Sequence, residues 1–509
     1  MSSKIPYTKT EFFNNLIVDF VNNKENILNF INEFPNLKNF ETIINQKSLE
    51  RINRDTLVSR LKKQNKKFQI SKETLNNINS LSSKNTFTIT TGHQLCLFTG
   101  PLYFTYKVIG CINLCQNLKE KYPKYNFVPI FWLASEDHDI DEISSINING
   151  KNVKWETEYV GPSGKAHTKN FSEYIQSIKN SFGNQVLSEG FKEIFFNPYL
   201  ENKDLGSATL SMLNKLFGKY GLVCIDANAS ELKRRLVKIA ENDIKTKKYT
   251  DILKKTSKQL ASKYHNQVNV SDDNFFAIRD RERVKVTKEN FSEIKDISKE
   301  ISPNVLFRPV YQELILPNIG YIGGPAEIAY WMQLKGIFSE INLTFPILIL
   351  RNSLFIIDKK IKINLSKLNL SADKFLKNLN DIEKKIIISE NNFDELNNEN
   401  QEIEKIFDAI KLRFKDLHLE ESINSEYQKV NKSIKNISKK IVRGLKKRNE
   451  ILINRVEFLR NRFTPKNSLQ ERNDSLIQYY AVHGENFMKM LKDNLNPLDN
   501  NFLFLETDD

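Results

Sequence analysis

Four polar segments of the sequence carry the residue types that anion binding and proton transfer require. They are "TTGHQ" (90–94), "SEDHDIDE" (135–142), "FRPVYQE" (307–313) and "GGPAE" (323–327). Each combines charged or amide side chains with residues that shape a turn or begin a helix. The chemistry they permit is the binding of phosphate or carboxylate groups together with acid–base catalysis.

The first segment is a turn rich in glycine and threonine between a predicted strand and a predicted helix. Backbone N–H groups of such a turn approach an anion closely, and the helix N-terminus adds partial positive charge. His93 can donate to a phosphate or a developing oxyanion, and Gln94 offers neutral hydrogen bonds. We expect Thr91, Gly92 and Thr99 to bind substrate beside them. The alternative is a tight turn with a structural histidine, because Gly-His-Gln is neither a Walker loop nor a dinucleotide fingerprint.

In the second segment, carboxylates flank a histidine. Glu136, Asp137 and His138 are able to bind Mg²⁺, to act as a base toward an amine or to hydrogen-bond sugar hydroxyls. We assign catalytic roles to these three and substrate binding to Asp139. The alternative is that the acids cap the next helix and face water. No metal ligands are assigned, and a zinc site is disfavoured because thiolate or histidine partners at fixed spacing are lacking.

The third and fourth segments supply a guanidinium group and a double-glycine turn. The guanidinium suits a carboxylate or a phosphate. The glycines let the backbone approach a ligand, or they merely permit a left-handed turn. The substrate-binding candidates in these segments are Arg308, Gln312, Glu313, Gly323, Gly324 and Glu327.

The elements that must position these segments are alternating strands and helices. Strands are predicted at Thr86–Thr91, at Phe127–Ala134, and in "GLVCID" and "FPILILRNS", and helices are predicted from about Pro101, Ser230 and Pro325. Such alternation predicts a parallel, right-handed α/β sheet. Ligands bind beyond the carboxyl ends of the strands in open sheets of this class, so the polar segments are expected to meet in one crevice.

Four regions are predicted along the chain. They are an N-terminal helical segment (1–82), a Rossmann-like core (83–370) with an insertion at about 147–216, a coiled-coil helical domain (371–465) and a C-terminal segment returning to the core (466–509). The coiled-coil seam is predicted from Ile423, Tyr427, Val430, Ile434, Ile437 and Ile441, which alternate four and three residues apart. A shorter stripe of Ile403, Ile406, Ile410 and Leu417, with a turn near 418–422, favours an antiparallel helical hairpin.

Composition limits the classes of function. Of the 509 residues, 40% are hydrophobic, which excludes a wholly disordered chain. The net charge of +14 favours anionic partners, but the basic run over 432–462 lacks aromatics on the same face, which disfavours nucleic acid. No secretory signal or bilayer-spanning stretch is evident, so we expect a cytoplasmic protein with no membrane partner. The four cysteines lie among apolar residues and are interpreted as reduced core thiols.

Four longer stretches follow one another in the order found in a known family. They are "TTGHQLCLFTGPLYFTYK", "NFVPIFWLASEDHD", "FRPVYQELILPNIGYIGGPAEIAYWMQLK" and "PKNSLQER". They closely resemble the BshC family of cysteine-adding ligases of bacillithiol biosynthesis, and the resemblance covers nearly the whole chain. It implies a Rossmann-like core related to class I nucleotide-binding ligases, inserted connective segments and an α-helical coiled-coil domain associated with dimerisation.

The resemblance also implies an activity, which is the addition of cysteine to the amine of glucosaminyl malate. The implied partners are cysteine, glucosaminyl malate and an adenine nucleotide, with a second copy of the chain bound through the coiled coil. ATP is the expected cofactor, and the presence of Mg²⁺ is left open. Two interpretations without catalysis also remain, namely a nucleic-acid-binding protein and a coiled-coil scaffold.

The roles that follow are hypotheses about single residues. His93 and Gln94 would stabilise phosphate charge, Arg308 would hold a carboxylate of malate or cysteine, and Glu136 or Asp137 would orient or deprotonate the amine. Gln94 stands where related ligases have the second histidine of a His-Gly-His loop. The choice between an acyl-adenylate and an acyl-phosphate therefore stays open.

Overall fold

The computed structural model describes residues 2–376, 380–391, 393 and 396–507. The predicted coiled-coil and C-terminal regions include a few residues outside these ranges, namely 377–379, 392, 394–395 and 508–509. The chain divides into two compact units. Unit 1 comprises Met1–Thr8, Phe13–Phe355 and Glu471–Leu505, and unit 2 comprises Lys9–Phe12, Ile356–Gln470 and Glu506–Asp509.

The strands and helices are numbered in chain order. The strands are β1 (Ser2–Pro6), β2 (Thr86–His93), β3 (Asn126–Leu133), β4 (Ser145–Ile148), β5 (Lys151–Lys154), β6 (Val223–Ile225), β7 (Phe275–Arg279), β8 (Glu282–Lys285), β9 (Ile301–Pro303), β10 (Asn318–Gly323), β11 (Ile347–Leu350), β12 (Ser353–Ile357) and β13 (Asn501–Glu506). The helices are α1 (Asn15–Val21), α2 (Phe40–Ser48), α3 (Arg54–Asn65), α4 (Lys72–Ser80), α5 (Leu102–Lys121), α6 (Ile140–Ile143), α7 (Phe171–Ser181), α8 (Glu189–Phe195), α9 (Asn197–Glu201), α10 (Leu205–Phe217), α11 (Ser230–Thr246), α12 (Lys248–Ala261), α13 (Ile297–Glu300), α14 (Arg308–Ile315), α15 (Pro325–Met332), α16 (Lys335–Glu340), α17 (Lys359–Lys367), α18 (Asn380–Glu390), α19 (Asn397–Arg413), α20 (Glu420–Arg448), α21 (Glu450–Phe463), α22 (Gln470–Asn473), α23 (Leu476–His483) and α24 (Glu485–Asn494).

A five-stranded parallel sheet forms the centre of unit 1. Its strand order is β11-β10-β2-β3-β6, and every neighbouring pair is parallel. The chain builds β2, β3 and β6 outward in one direction and then adds β10 and β11 on the other side of β2. The predicted Rossmann-like parallel sheet is thereby confirmed, and the order reverses between β2 and β10. A reversal of this kind opens a crevice at the carboxyl ends of the strands.

The sheet is buried on both faces, which explains why its strands are near-continuous apolar and β-branched runs. Helix α5 packs on β2 and β3, and its Cys111 and Leu114 join a core cluster with Ile89 and Ile322. The Cys111 thiol donates to the backbone oxygen of Ile89 over 2.9 Å. All four cysteines are free and buried, as predicted.

Two segments outside the parallel sheet differ from the pattern that the sequence suggests. The predicted insertion at 147–216 contains part of the β4–β5 hairpin and then helices α7–α10. A second segment, over 262–305, carries the small antiparallel sheet β8-β7-β9, which the sequence analysis does not distinguish. The N-terminal region has the predicted helices, and it also has β1, which pairs antiparallel with β13 near the C-terminus.

Unit 2 contains the helical hairpin formed by α19 and α20, and this confirms the predicted coiled coil. The rings of Phe407 and Tyr427 lie 5.5 Å apart across the hairpin. The turn includes His418, whose φ of 53° is left-handed, close to the predicted position. The predicted apolar stripes are wrong in part. Ile406, Ile410 and Leu417 of the partner stripe and Ile437 of the seam are exposed, and Phe407 turns toward α20 instead.

Among the described residues, no helix combines the length and the apolar character needed to span a bilayer.

Candidate active site

A cavity of about 550 Å³ opens in unit 1 at the carboxyl edge of the parallel sheet. Every strand of the sheet contributes to its wall, either with its last residues or with the loop that follows. The contributing residues at the strand ends are Gly92 and His93 (β2), Trp132 and Leu133 (β3), Ala227 and Asn228 (after β6), Gly324 (after β10) and Arg351 (after β11). The polar segments therefore converge at the point where the strand order reverses.

The structure brings eight of the fifteen predicted site residues together in this wall and leaves seven out of it. The residues in the wall are Gly92, His93, Gln94, Glu136, Asp137, Arg308, Gly324 and Glu327. The residues outside the wall are Thr91, Thr99, His138, Asp139, Gln312, Glu313 and Gly323.

Several residues outside the wall have contacts that fix the local backbone. The Thr91 hydroxyl donates to the Ile322 oxygen over 2.8 Å and so joins β2 to β10. The Asp139 carboxylate accepts from the Glu142 N–H at 3.2 Å and caps α6, which is the structural alternative considered above. His138 Nδ1 lies 2.8 Å from the backbone oxygen of Glu136, and burial lowers the pKa of this histidine.

Two further residues occupy tight positions next to the wall. Thr99 is buried in the loop before α5 and has a φ of 74°. Gly323 ends β10, and a Cβ atom there would lie 2.9 Å from Cβ of Glu327. Close approach of the backbone to α15 thus explains this glycine without a ligand.

A buried ion pair joins α5 and the end of β2 to the first turn of α15, which follows β10. Lys107 Nζ on α5 lies 2.8 and 3.0 Å from the two carboxylate oxygens of Glu327, and it also donates to the backbone oxygen of Gly92. Glu327 accepts further hydrogen bonds from the Tyr321 hydroxyl at 2.7 Å and the Gly324 N–H at 2.8 Å. Burial would raise the pKa of Glu327, but Lys107 and these donors lower it to about 2. A carboxylate predicted to bind substrate therefore holds two cavity loops together.

One corner of the cavity gathers cations around an aromatic ring. Arg351 and Arg472 lie 4.8 and 6.0 Å from the ring centre of Tyr103, and the Tyr103 hydroxyl lies 3.2 Å from Nε2 of His93. Burial and the charge of Lys107 lower the pKa of His93 to about 3. His93 is therefore a neutral hydrogen-bonding group at physiological pH.

A second corner is built around Arg308. Its guanidinium lies 5.5 Å from the ring of Trp132 and 5.8 Å from that of Tyr321. Nη1 donates to Oε1 of Gln312 at 3.0 Å, whereas Nη2 has no hydrogen-bond partner in the described part of the chain. Burial opposes the charge of Arg308, but Tyr321 and Tyr330 raise its pKa, so the guanidinium stays charged. It offers a free donor to an anion.

The adjacent acids Glu136 and Asp137 have different environments. Glu136 forms an ion pair with the buried Lys233 and accepts from the Ser302 hydroxyl at 3.1 Å. The Asp137 carboxylate has no hydrogen bond or ion pair with any other described residue. Burial raises the pKa of Asp137, although Arg283 opposes this. Asp137 is consequently the acid available to a ligand. Within the described ranges, no group of three or more His, Cys, Asp or Glu is arranged to hold a metal ion.

The structure adds residues that the sequence analysis does not include among its site candidates. They are Tyr103, Lys107, Lys233, Arg283 and Arg472. Lys107 had a usable signal, because a lone lysine inside the apolar run "LYFTYKVIGCINLC" is rarely buried unless it is paired. No sequence signal indicated Arg283, because it lies on β8 of the antiparallel sheet, which the sequence pattern does not predict.

Comparison with known proteins matches nearly the whole chain to one family. Residues 1–352 match the family described as bacillithiol biosynthesis BshC, N-terminal Rossmann-like domain, and residues 354–507 match its C-terminal coiled-coil domain. The chain belongs to the BshC family. BshC membership confirms the resemblance, the Rossmann-like core and the coiled-coil domain, and it confirms the ligase class at the level of the family.

Relatives in the BshC family match nearly end to end. Proteins of Flavobacterium psychrophilum and Flavobacterium johnsoniae, both named "Putative cysteine ligase BshC", are 38% and 36% identical to this chain, with 99% and 98% of each chain covered. A Bacillus cereus protein of the same name is 24% identical, with 94% of this chain and 95% of the relative covered.

Replacing Lys107 by Met is expected to destabilise unit 1, because the Glu327 carboxylate would remain buried without its cation. We expect a loss of about 3–5 kcal/mol in the free energy of unfolding at neutral pH. In the wild type, the lowered pKa of Glu327 gives stability that is complete above the ordinary carboxyl pKa and is lost as the pH falls toward about 2. Urea denaturation followed by circular dichroism measures both effects.

The double variant Lys107→Met/Glu327→Gln is the control for this prediction. It removes both charges, so it should recover at least about half of the loss. A loss below about 1 kcal/mol in the single variant, or no recovery in the double variant, would contradict the assignment.

Proposed function

We propose that this chain joins the carboxyl group of cysteine to the amine of glucosaminyl malate, with ATP-dependent activation of the carboxylate. The observation that carries the proposal is that unpartnered guanidinium donors, a neutral imidazole and an available carboxylate converge at one cavity. Its volume of about 550 Å³ lies in the range of small-molecule sites. The name of the relatives adds cysteine as the substrate to be tested.

Activation is required because a carboxylate does not condense with an amine in water. When bound, ATP would supply the phosphoryl chemistry that turns the carboxylate oxygen into a leaving group. The residues fit an anion of this kind, since Arg351 Nε and Arg308 Nη2 are buried donors without a hydrogen-bond partner in the described chain, and both residues line the cavity. We assign the phosphate groups to Arg351 and Arg472 beside the loop after β2. We also place the reaction in the cytoplasm, where free cysteine thiols stay reduced.

Charge that develops during the reaction would be stabilised by groups that are already in place. His93 is neutral, so it can present one N–H or one lone pair without a change in its own charge. Gln94 donates to Glu142 at 2.7 Å, which fixes the orientation of its amide at the cavity wall. Arg308 would hold a carboxylate of the malate group or of cysteine. Preorganised donors of this kind stabilise a transition state without reorganising.

Proton transfer is assigned to Asp137. The attacking amine must lose a proton, and a base works best when its pKa approaches the working pH. Burial raises the pKa of Asp137 in that direction, and its carboxylate is available. Glu136 is instead neutralised by Lys233 and held by Ser302, so we assign it to shaping the wall.

The purified chain is expected to form a product with the mass of cysteine and glucosaminyl malate less one water, in a reaction that depends on ATP. Mass spectrometry detects the product. Failure to form product with all substrates and Mg²⁺ present would overturn the proposed reaction.

The matched variants Asp137→Asn and Glu136→Gln test the assignment of the base in the same assay. Asp137→Asn should lower kcat by about 10²–10⁴, the usual contribution of a general base, with little change in KM. Glu136→Gln is isosteric but leaves the buried Lys233 without its anion, so it should destabilise unit 1 while lowering kcat of the folded protein by less than about tenfold. Equal losses in the two variants, or a larger loss in Glu136→Gln, would overturn the assignment.

We further infer that two copies of the chain associate through the helical hairpin of unit 2. Ile406 and Ile410 lie one turn apart on α19 and are 56% and 38% exposed. Apolar side chains aligned on an exposed helix face are typical of a surface that a partner covers. A second copy of the same hairpin is the simplest partner, because symmetric dimers are the commonest assemblies.

Light scattering coupled to size exclusion should give the mass of a dimer for the wild type and of a monomer for Ile406→Lys/Ile410→Lys. Ile451→Lys is the control, since Ile451 is 70% exposed on α21, outside the hairpin, and this variant should remain dimeric. A monomeric wild type, or a double variant that remains dimeric, would contradict the inferred dimer.

A further inference from the structure

Behind Arg308, a chain of buried polar groups leads away from the cavity. Arg308 Nη1 donates to Gln312 Oε1 at 3.0 Å, and Gln312 Nε2 donates to Glu313 Oε1 at 2.9 Å. Asn318 Nδ2 donates to the same oxygen of Glu313 at 2.7 Å. Gln312, Glu313 and Asn318 are completely buried, and none of them lines the cavity. Gln312 and Glu313, which the sequence predicts to bind substrate, therefore lie behind Arg308, the residue that lines the cavity.

The far end of this chain is an ion pair near the surface. Lys47 Nζ lies 3.6 Å from Oε2 of Glu313 and 2.9 Å from Oε2 of Glu50. It also donates to the backbone oxygen of Glu313 at 3.3 Å. Because Glu50 holds Lys47 more closely, the charge of Glu313 is only partly compensated.

The direction of the Gln312 amide follows from these contacts. An amide has an acceptor on one side and two donors on the other. Since the NH₂ group of Gln312 donates to Glu313, its oxygen must face Arg308. A reversed amide would place donor hydrogens against the guanidinium and would release Arg308 from its position.

We propose that Glu313 is a positioning residue for the anion site, whose charge state sets the direction of the Gln312 amide and thereby the position of the Arg308 guanidinium. Ionised Glu313 requires a donor from Gln312, and this holds Arg308 in place for an anionic ligand. Protonated Glu313 can donate to Gln312 instead, which frees the amide to reverse. This inference depends on the proposed function only in treating a carboxylate or a phosphate as the ligand of Arg308.

The ionisation of Glu313 falls in a useful pH range. Burial raises its pKa to about 7, although Lys47 and the donors of Gln312 and Asn318 oppose the rise, and Glu50 adds to it. The charged groups that face Glu313 are therefore Lys47 and Glu50, from α2 and the residues after it, and Arg308 on its own helix. From β2, the Thr88 and Thr90 hydroxyls donate to Oδ1 of Asn318 at 3.2 and 2.7 Å.

The direction in which anion binding changes with pH follows from the charge of Glu313. Above the pKa of Glu313 the carboxylate is charged and Arg308 is held, whereas below it the site loosens. The pKa of His93 is lowered to about 3, so this histidine does not titrate in the same range. Anion binding should consequently weaken as the pH falls through neutrality.

The experiment measures the Kd of malate by calorimetry with the full-length protein between about pH 6 and 8. In the wild type, Kd should rise about tenfold toward the acid end, the worth of one hydrogen bond to a charged group. In Glu313→Gln, which is isosteric and cannot ionise, Kd should not change with pH. An inflection that persists in Glu313→Gln, or a wild-type Kd that does not change with pH, would overturn the inference.

Two further variants complete the test. Glu50→Gln removes a charge that raises the pKa of Glu313, so the inflection should move to lower pH. If Glu313→Gln does not fold, the shift in Glu50→Gln alone tests the role of Glu313. Glu41→Gln, at an exposed acid on α2, should retain the inflection. An upward move in Glu50→Gln, or loss of the inflection in Glu41→Gln, would contradict the role given to Glu313.

The outcomes also separate this inference from the proposed ligase activity, because malate binding requires no turnover. Binding that depends on pH in a protein without ligase activity overturns the proposed reaction alone. Ligase activity with binding that does not depend on pH overturns the role of Glu313 alone. Absence of malate binding at every pH would overturn both the anion site and the role of Glu313.

Discussion

The buried ion pair between Lys107 and Glu327 is the contact on which the cavity depends. It ties helix α5 to the loops after β2 and β10, which lie on the two sides of the reversal in strand order. A parallel sheet of this topology opens a crevice at that point, and the ion pair adds a side-chain link to the backbone pairing of β2 and β10. Here the contact that joins them is ionic, so it also places a fixed positive charge beside the loop that carries His93. That charge, together with burial, keeps His93 neutral.

The other acids of the cavity differ in whether a cation compensates their charge. Glu327 and Glu136 line the cavity and are each matched by a buried cation, respectively Lys107 and Lys233, whereas Glu142 accepts a hydrogen bond from the neutral amide of Gln94. Asp137 lacks such a partner among the described residues, and it is the acid whose pKa burial raises. Acids with a partner hold the wall in place, and we propose that the acid without one serves in proton transfer. The guanidinium donors that remain unpaired indicate where anions bind.

Much of the fold was predictable, because each strand of the parallel sheet is a buried apolar run followed by polar residues. That pattern predicts His93 and Asp137 at one edge of the sheet, where the structure has them. Pairings between distant residues could not be predicted in this way. Which of two adjacent acids is free depends on Lys233, which lies 97 residues from Glu136, and the role of Lys107 depends on a partner 220 residues away. The face that α19 turns toward α20 was also missed, since a short stripe does not fix the rotation of a helix.

The central claim is that this cavity activates a carboxylate before an amine attacks it. Cysteine labelled with ¹⁸O in its carboxyl group tests that claim most directly, because an activated carboxylate must give one of its oxygens to the phosphorus-containing product. The account predicts that mass spectrometry will find ¹⁸O in the AMP or the inorganic phosphate released as the amide forms. Amide formation with no label in either product would contradict it.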